Sequence, residues 1–282
     1  MSDPGILYVI ATPIGNLADI TLRALDTIKN VKVLLAEDTR VTKRLLSHYG
    51  IQAHLESLHD FNESKKISAL IGQLHSGIDI GLVSDAGTPL ISDPGYKLVS
   101  AAQNEHIQVR SIPGASAVVA ALSVAGIPTD RFIFEGFLPK KTTERQMRLQ
   151  ALQYEARSMI FYEAPQRVEL TIHACIEAFG ETRNAALLRE LTKQYEQHLS
   201  GELRQIKQSL HDHPEKIRGE YVLVVDGDDS PESTEFLESA RLLLIDLQKH
   251  MSHKDAVEIV VKHTGLRRNQ LYSLGLENTP NK

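Results

Sequence analysis

The chain has 282 residues, more than one average domain, and its 42% apolar content is enough to bury a sizeable core. A net charge of −5 argues against a protein that coats nucleic acid indiscriminately, although local basic patches are still compatible with RNA contact. The single cysteine, Cys175, excludes an internal disulfide and a thiolate zinc cluster. No stretch approaches the roughly 20 apolar residues of a membrane span. The N-terminus carries no basic patch, and the apolar run from Ile6 to Ala11 is too short for a signal peptide. These features predict a soluble, cytoplasmic protein.

Short β-rich runs alternate with longer amphipathic segments, the pattern of an α/β fold. Ile6 to Ala11 is predicted to be a buried strand closed by Pro13 and Gly15, and Leu22, Leu25 and Ile28 mark the following helix. Val31 to Ala36 is a second strand, and Thr39 to Tyr49 a helix stopped by Gly50. Lys65 to His75 is helical, Ile78 to Val83 a strand, Tyr96 to Asn104 a helix and Gln108 to Ile112 a strand. Continuous apolar strands of this kind predict a mostly parallel sheet covered on both faces.

Pro113-Gly114 reads as a hinge to a second α/β unit. Its helices are predicted at Ala115 to Ala125, Thr143 to Tyr154, Val168 to Phe179 and Leu203 to His211. Its strands are predicted at Arg131 to Phe137, Ser158 to Tyr162, Asn184 to Arg189 and Tyr221 to Val225. The polar, breaker-rich run Gly227 to Pro231 is a linker. Beyond it, Glu235 to His250, His253 to His263 and Arg267 to Leu274 suit a small helix-turn-helix-like bundle. The predicted domains are therefore 1–113, 114–228 and 232–282.

Several loops at strand ends carry polar or small residues. In open α/β sheets, ligands bind beyond the carboxyl ends of strands. Ser84-Asp85-Ala86-Gly87-Thr88-Pro89 follows one strand; Ala86 and Gly87 let the backbone approach a flat ligand, and Asp85 can accept from an ammonium or hydroxyl. Ser92-Asp93-Pro94-Gly95 reads as a tight turn. Pro113-Gly114-Ala115-Ser116 puts small residues in a first helical turn, where free N–H groups suit a carboxylate or phosphate; close helix–sheet packing explains it equally well. Glu37-Asp38-Thr39-Arg40 places three charged side chains in four positions, with Asp38 also a natural helix N-cap. The dinucleotide and phosphate-loop fingerprints are absent. His59, Asp60, Asn62 and Glu63 read as a polar loop, so no metal is expected.

Taken in order, Ala11 to Leu17, Glu37 to Arg40, Val83 to Pro89, Ile112 to Ser116, Phe161-Tyr162-Glu163 and Arg189 to Lys193 resemble the tetrapyrrole methylases. The resemblance is strongest to the branch that methylates a cytidine ribose 2′-hydroxyl in small-subunit ribosomal RNA. It covers about Ile6 to Val225, and the last segment resembles that branch's helical C-terminal domain. It implies two αβα domains with S-adenosyl-L-methionine in a cleft between them, usually as a homodimer. Carried over by motif, the donor contacts are Pro13, Asp85, Ala86, Gly87, Thr88, Ala115, Ser116, Tyr162, Leu191, Gly219 and Glu220.

A ribose hydroxyl is a poor nucleophile and needs a base or a positive field, for which Asp38, Glu163 and Lys193 are the candidates. Arg40, Lys140, Lys141, Lys254, Lys262, Arg267 and Arg268 are the expected RNA contacts. Two competing classes remain: a small-molecule, tetrapyrrole-type methyltransferase and a non-catalytic RNA-binding protein.

Overall fold

A computed structural model describes residues 3–228, 231–266, 268 and 271, with the side chains of 216 and 231–235 left aside. By their contacts the residues form two compact units. The first comprises Met1–Ser123 and Glu190–Glu196; the second comprises Val124–Arg189 and Gln197–Lys282.

The first unit is built in chain order from β1 (Leu7–Ile10), α1 (Leu22–Asn30), β2 (Val33–Ala36), α2 (Thr39–His48), β3 (Leu55–Ser57), α3 (Glu63–His75), β4 (Ile80–Val83), α4 (Tyr96–Asn104), β5 (Val109–Ile112) and α5 (Ala117–Ala125). The sheet runs β3-β2-β4-β1-β5, and every pairing is parallel. The central strands β2 and β4 are buried along their whole length, which explains their unbroken apolar sequence. Side chains of α3 and α4 pack with one set of strand residues, and those of α1 and α2 with another. All four loops leaving β1, β2, β4 and β5 therefore emerge at one carboxyl edge.

The second unit continues with β6 (Phe132–Phe137), α6 (Thr142–Gln150), β7 (Ser158–Glu163), α7 (Val168–Phe179), β8 (Asn184–Arg189), β9 (Gln197–Glu202), α8 (Leu203–Asp212) and β10 (Tyr221–Val225). Its sheet order is β6-β7-β10-β8-β9. Only β6 and β7 pair in parallel; β10 is antiparallel to both β7 and β8, and β8 is antiparallel to β9. The expectation of a mostly parallel sheet, made for the first unit, holds there, and the second α/β unit has a mixed sheet. The short link between β8 and β9 makes a hairpin, which forces antiparallel pairing.

The strand β9 was not foreseen, because its sequence Gln-His-Leu-Ser-Gly-Glu is polar and it pairs on one side only. β3, a three-residue edge strand, was missed for the same reason.

After the linker, α9 (Pro231–Gln248) and α10 (His253–Thr264) share a small core of Ala240, Leu244, Ala256, Val257, Val260, Leu266 and Leu271. Ser252 caps α10, and Gly265 ends it in the left-handed conformation at φ 72°. Phe236 of α9 stacks on Tyr154 with ring centroids 4.4 Å apart, tying the helices to the second unit. The expected helix from Arg267 to Leu274 lies largely outside the described residues.

Glu63 shows how the first unit is pinned. Although charged, it is 3% exposed, and its carboxylate accepts the backbone N–H of Leu98 at 3.0 Å in the first turn of α4. Removing a charged acceptor from a buried donor costs about 1–3 kcal/mol. Glu63→Ala is expected to destabilise the protein by about that amount in chemical denaturation; an unchanged midpoint would show that α4 does not need this cap.

Candidate active site at the carboxyl edge of the first sheet

The four loops at this edge are joined by hydrogen bonds between them. Thr12 and Gly87 exchange backbone bonds, Thr12 N–H to Gly87 at 2.8 Å and Gly87 N–H to Thr12 at 3.1 Å. The buried Thr12 hydroxyl also donates to the Ser84 carbonyl at 3.2 Å. The Thr88 hydroxyl donates to the Ala115 carbonyl at 3.1 Å, joining the β4 and β5 loops. Gly114 lies so close to Ala11 that an added Cβ would sit 3.0 Å from the alanine Cβ.

The loops after β2 and β4 are joined as well: the Asp38 backbone N–H donates to the Asp85 carboxylate at 2.9 Å.

This edge is acidic. Burial, then the charges of Asp93 and Asp85, push Glu37 from its usual 4.5 up to about 7. Asp93 is pushed from 3.8 to about 6, first by burial and further by Asp85 and Asp60, against a stabilising bond from the Ser84 hydroxyl. The sequence flags Glu37 only as a member of the charged run Glu37–Arg40 and Asp93 only within a tight turn, and assigns neither a role. Leu90 (φ 75°) and Ser92 (φ 68°) hold left-handed conformations in the same loop, the kind of backbone strain that gathers at functional sites.

Asp38 has a local role. It caps α2 by accepting the Arg40 N–H at 2.8 Å and forms an ion pair with the Arg40 guanidinium. That side-chain bond holds its carboxyl well down, at about 2. Pro13, Asp85, Ala86, Gly87, Thr88, Ala115 and Ser116 all belong to these joined loops.

Leu191 and Lys193 lie in the Glu190–Glu196 segment, which belongs to the same unit. The Thr192 hydroxyl accepts the Asn16 N–H at 3.2 Å, and the stem of Lys193 lies over Gly15, whose added Cβ would fall 2.4 Å from Lys193 Cγ. Lys193 Nζ donates to Glu190 at 2.8 Å, and Glu190 (φ 52°) and Thr192 (φ 67°) are again left-handed.

The other predicted residues lie in the second unit. Tyr162, next to last in β7, makes edge-to-face contacts with the rings of Phe134 and Phe137, with centroids 4.9 and 5.6 Å away. Gly219 (φ 82°) and Glu220 precede β10, whose Tyr221 pairs with Glu163, so these positions share one sheet edge.

Glu163 is consumed by structure. Its side chain is fully buried, pairs with Arg167 at 3.2 Å, and accepts the Thr171 hydroxyl at 2.5 Å and the Ala164 N–H at 2.8 Å. Lys141 pairs with Glu144 at 2.9 Å, while Lys140 is exposed. Lys254 and Lys262 are exposed on α10, Arg268 lies 3.7 Å from Glu258, and Arg267 lies outside the described residues.

Among the described residues, no group of three or more His, Cys, Asp and Glu side chains is arranged to hold a metal, and no helix is long and apolar enough to cross a membrane. In the predicted polar loop, Asn62 accepts the His59 N–H at 2.9 Å.

Residues 6–207 match the model of the tetrapyrrole (corrin/porphyrin) methylases, and the chain belongs to that family. Residues 236–279 match the RsmI C-terminal HTH domain. The chain is 44% identical to ribosomal RNA small subunit methyltransferase I of Pseudomonas aeruginosa, over 97% of both chains. It is 42% identical to the protein of that name from Escherichia coli O157:H7, over 97% of this chain and 95% of the relative. Among solved structures it resembles uroporphyrin-III C-methyltransferase from Thermus thermophilus complexed with S-adenyl homocysteine. That likeness has a TM-score of 0.54 at 14% identity, over 79% of this chain and 97% of the other, and shows the shared fold.

Glu37 and Glu163 are expected to respond oppositely to neutralisation. Because the folded pKa of Glu37 is raised from 4.5 to about 7, its contribution to stability is full below about pH 4.5 and is lost as pH rises through about 7. Glu37→Gln should therefore melt above the wild type at pH 8 and level with it at pH 4. Glu163→Ala takes a fully buried carboxylate from the partly buried Arg167 and from the Thr171 hydroxyl, and should cost about 3–5 kcal/mol at neutral pH. Thermal melts across pH check both, and a Glu37→Gln protein that is less stable at pH 8 contradicts the assignment.

Proposed function

We propose that the chain is an S-adenosylmethionine-dependent methyltransferase that modifies the ribose 2′-hydroxyl of a cytidine in small-subunit ribosomal RNA. The observation that carries this reading is the joined acidic edge of the first sheet, in a methylase-family chain whose near-full-length relatives are named for that RNA. The alternative small-molecule substrate leaves the helix-turn-helix match at residues 236–279 without a use.

The residues fit the donor's chemistry. Its cationic sulfonium and ammonium suit an edge bearing Glu37, Asp85 and Asp93, and its carboxylate suits N–H groups at the small first turn beside Ala115 and Ser116. In this reading Pro13, Asp85, Ala86, Gly87, Thr88, Ala115, Ser116 and Leu191 hold it. Tyr162, Gly219 and Glu220 are proposed donor contacts on the motif resemblance alone. When bound, S-adenosylmethionine supplies a methyl group that its sulfonium makes electrophilic.

The protein's own task is to position the ribose hydroxyl and take its proton. Positioning alone is worth roughly 7–11 kcal/mol. Of the original catalytic candidates, Asp38 is committed to Arg40 and Glu163 to Arg167 and Thr171, so the proton acceptor is assigned to Glu37. Glu37 follows directly on β2, and its half-buried carboxyl lies among the charges of Asp85 and Asp93. Lys193, held over Gly15 beside the loop leaving β1, supplies positive charge near this edge.

Lys140, Lys254, Lys262, Arg267 and Arg268 are proposed phosphate contacts, with the C-terminal helices acting in RNA capture. The enzyme is placed in the cytoplasm as a homodimer.

The decisive experiment is mass mapping of small-subunit ribosomal RNA from cells with and without the gene, alongside assays of purified enzyme on small subunits and on a porphyrinoid. A ribose methyl group that disappears with the gene is expected; an unchanged RNA together with a methylated porphyrinoid would reverse the assignment. In the same assay kcat/KM should rise with pH through about 7, as Glu37 ionises. Glu37→Gln should lower kcat, measured at saturating donor, by about 10²–10⁴-fold. A variant with unimpaired kcat would remove Glu37 from the chemistry.

A further inference from the structure

The helix α2 divides sharply by chemistry. Thr42, Leu45 and Leu46 are buried on one side. On the opposite side, Arg40, Lys43, Arg44 and Ser47 follow one another at helical spacing, and all four are exposed. The helix Thr39–His48 contains no acidic residue, in a chain whose net charge is −5.

A solvated surface helix ordinarily interleaves the two signs. Here Arg40 is paired with its own cap, Asp38, whereas among the described residues Lys43 and Arg44 have no ion-pair partner. The helix also begins at the reacting edge: Asp38 is its N-cap, and the Asp38 N–H is bonded to Asp85. At 1.5 Å per residue, Arg40 and Arg44 lie about 6 Å apart along the axis, so the stripe runs away from the edge on the scale of a nucleotide step.

We propose that the exposed cationic face of α2, through Lys43 and Arg44, is a phosphate-binding track that carries the substrate RNA's backbone away from the reacting ribose. The inference rests on the RNA-substrate reading above and deepens it. Two unpaired cations on a rigid helix that starts at the site hold the strand at a fixed distance from the chemistry, and they read no bases. The contact is sequence-independent and depends on counterion release.

The test compares the full-length wild type with Lys43→Ala/Arg44→Ala and, as a second variant, Lys43→Glu/Arg44→Glu. The probe is small-subunit ribosomal RNA titrated across a salt series, with donor affinity by calorimetry and methyl transfer measured in parallel. The alanine pair should weaken RNA binding about tenfold or more near physiological salt and flatten the log–log salt slope by roughly one to two. The glutamate pair should weaken binding further, and donor affinity should stay at the wild-type value in both. With RNA in excess, methyl transfer should recover in the alanine pair, so the defect appears in KM and not in kcat.

Wild-type RNA affinity and salt slope in a folded, donor-binding double variant would overturn the proposal. A wild type with no measurable affinity for this RNA would overturn it as well. If the wild type binds the RNA through these residues but transfers no methyl group to it, the track stands and the assigned reaction is what fails.

Discussion

Thr12 and Gly87 exchange two backbone hydrogen bonds outside any strand of the sheet, just beyond the carboxyl ends of β1 and β4. Everything proposed for the first unit depends on that bridge. A loop that leaves a parallel strand has no partner of its own, and its backbone groups must find one or face solvent. Here the two loops satisfy each other, with the buried Thr12 hydroxyl bracing the Ser84 carbonyl. Gly87 closes the bridge at φ 79°, where a side chain would be strained and its Cβ would press on Ile14 at 3.3 Å. With β1 and β4 joined, Thr88 reaches Ala115 and Asp85 reaches Asp38, so one bridge orders four loops.

The rigidity matters because the edge carries charges that repel. Glu37, Asp60, Asp85 and Asp93 influence one another electrostatically, and burial raises both Glu37 and Asp93. A flexible loop would swing its carboxylates apart into water. Held by the bridge and by left-handed Leu90 and Ser92, they stay together at a cost in folding free energy. Stability given up in one place and used by a ligand in another is a common pattern at binding sites, and a cationic donor is the ligand that relieves this repulsion. The fully satisfied Glu163 is the contrast: a buried carboxylate with an arginine, a hydroxyl and an N–H has nothing left to offer a substrate.

The central strands, most helices and the motif loops were legible in the sequence because burial on both faces leaves an unbroken apolar run, and breakers mark its ends. Val168–Phe179, Asn184–Arg189 and Tyr221–Val225 match the expected bounds residue for residue. What stayed hidden was pairing. The run of Tyr221–Val225 reads the same whether its neighbours are parallel or antiparallel, and only the fold shows that it lies antiparallel to both. Two of the four edge strands, β3 and β9, were hidden too, since they are half exposed and polar, whereas β5 and β6 were legible. In the site, the loops could be located but the roles of their acids could not. Asp38 and Glu37 are adjacent, and only their partners, Arg40 for one and the acidic edge for the other, separate a helix cap from a group held near neutrality.

The same pair of neighbours resolves a conflict between two ligands. A sulfonium donor calls for negative charge, and an RNA backbone calls for positive charge. If both are drawn to one surface, each weakens the other's field. In this chain the fields are separated within a few residues: carboxylates gather at the sheet edge, and the cations of α2 begin one turn later on a face that points away from the apolar core. Asp38 stands at the division. It neutralises Arg40, the cation nearest the edge, so the positive face of α2 starts in effect at Lys43 and Arg44. An arginine left unpaired at position 40 would both draw phosphate onto the acidic loops and pull the Glu37 carboxyl down out of the range in which it accepts a proton. The cap, the ion pair and the spacing of the stripe are therefore parts of one electrostatic arrangement which, in the proposed function, suits a cation and a polyanion side by side on a net negative protein.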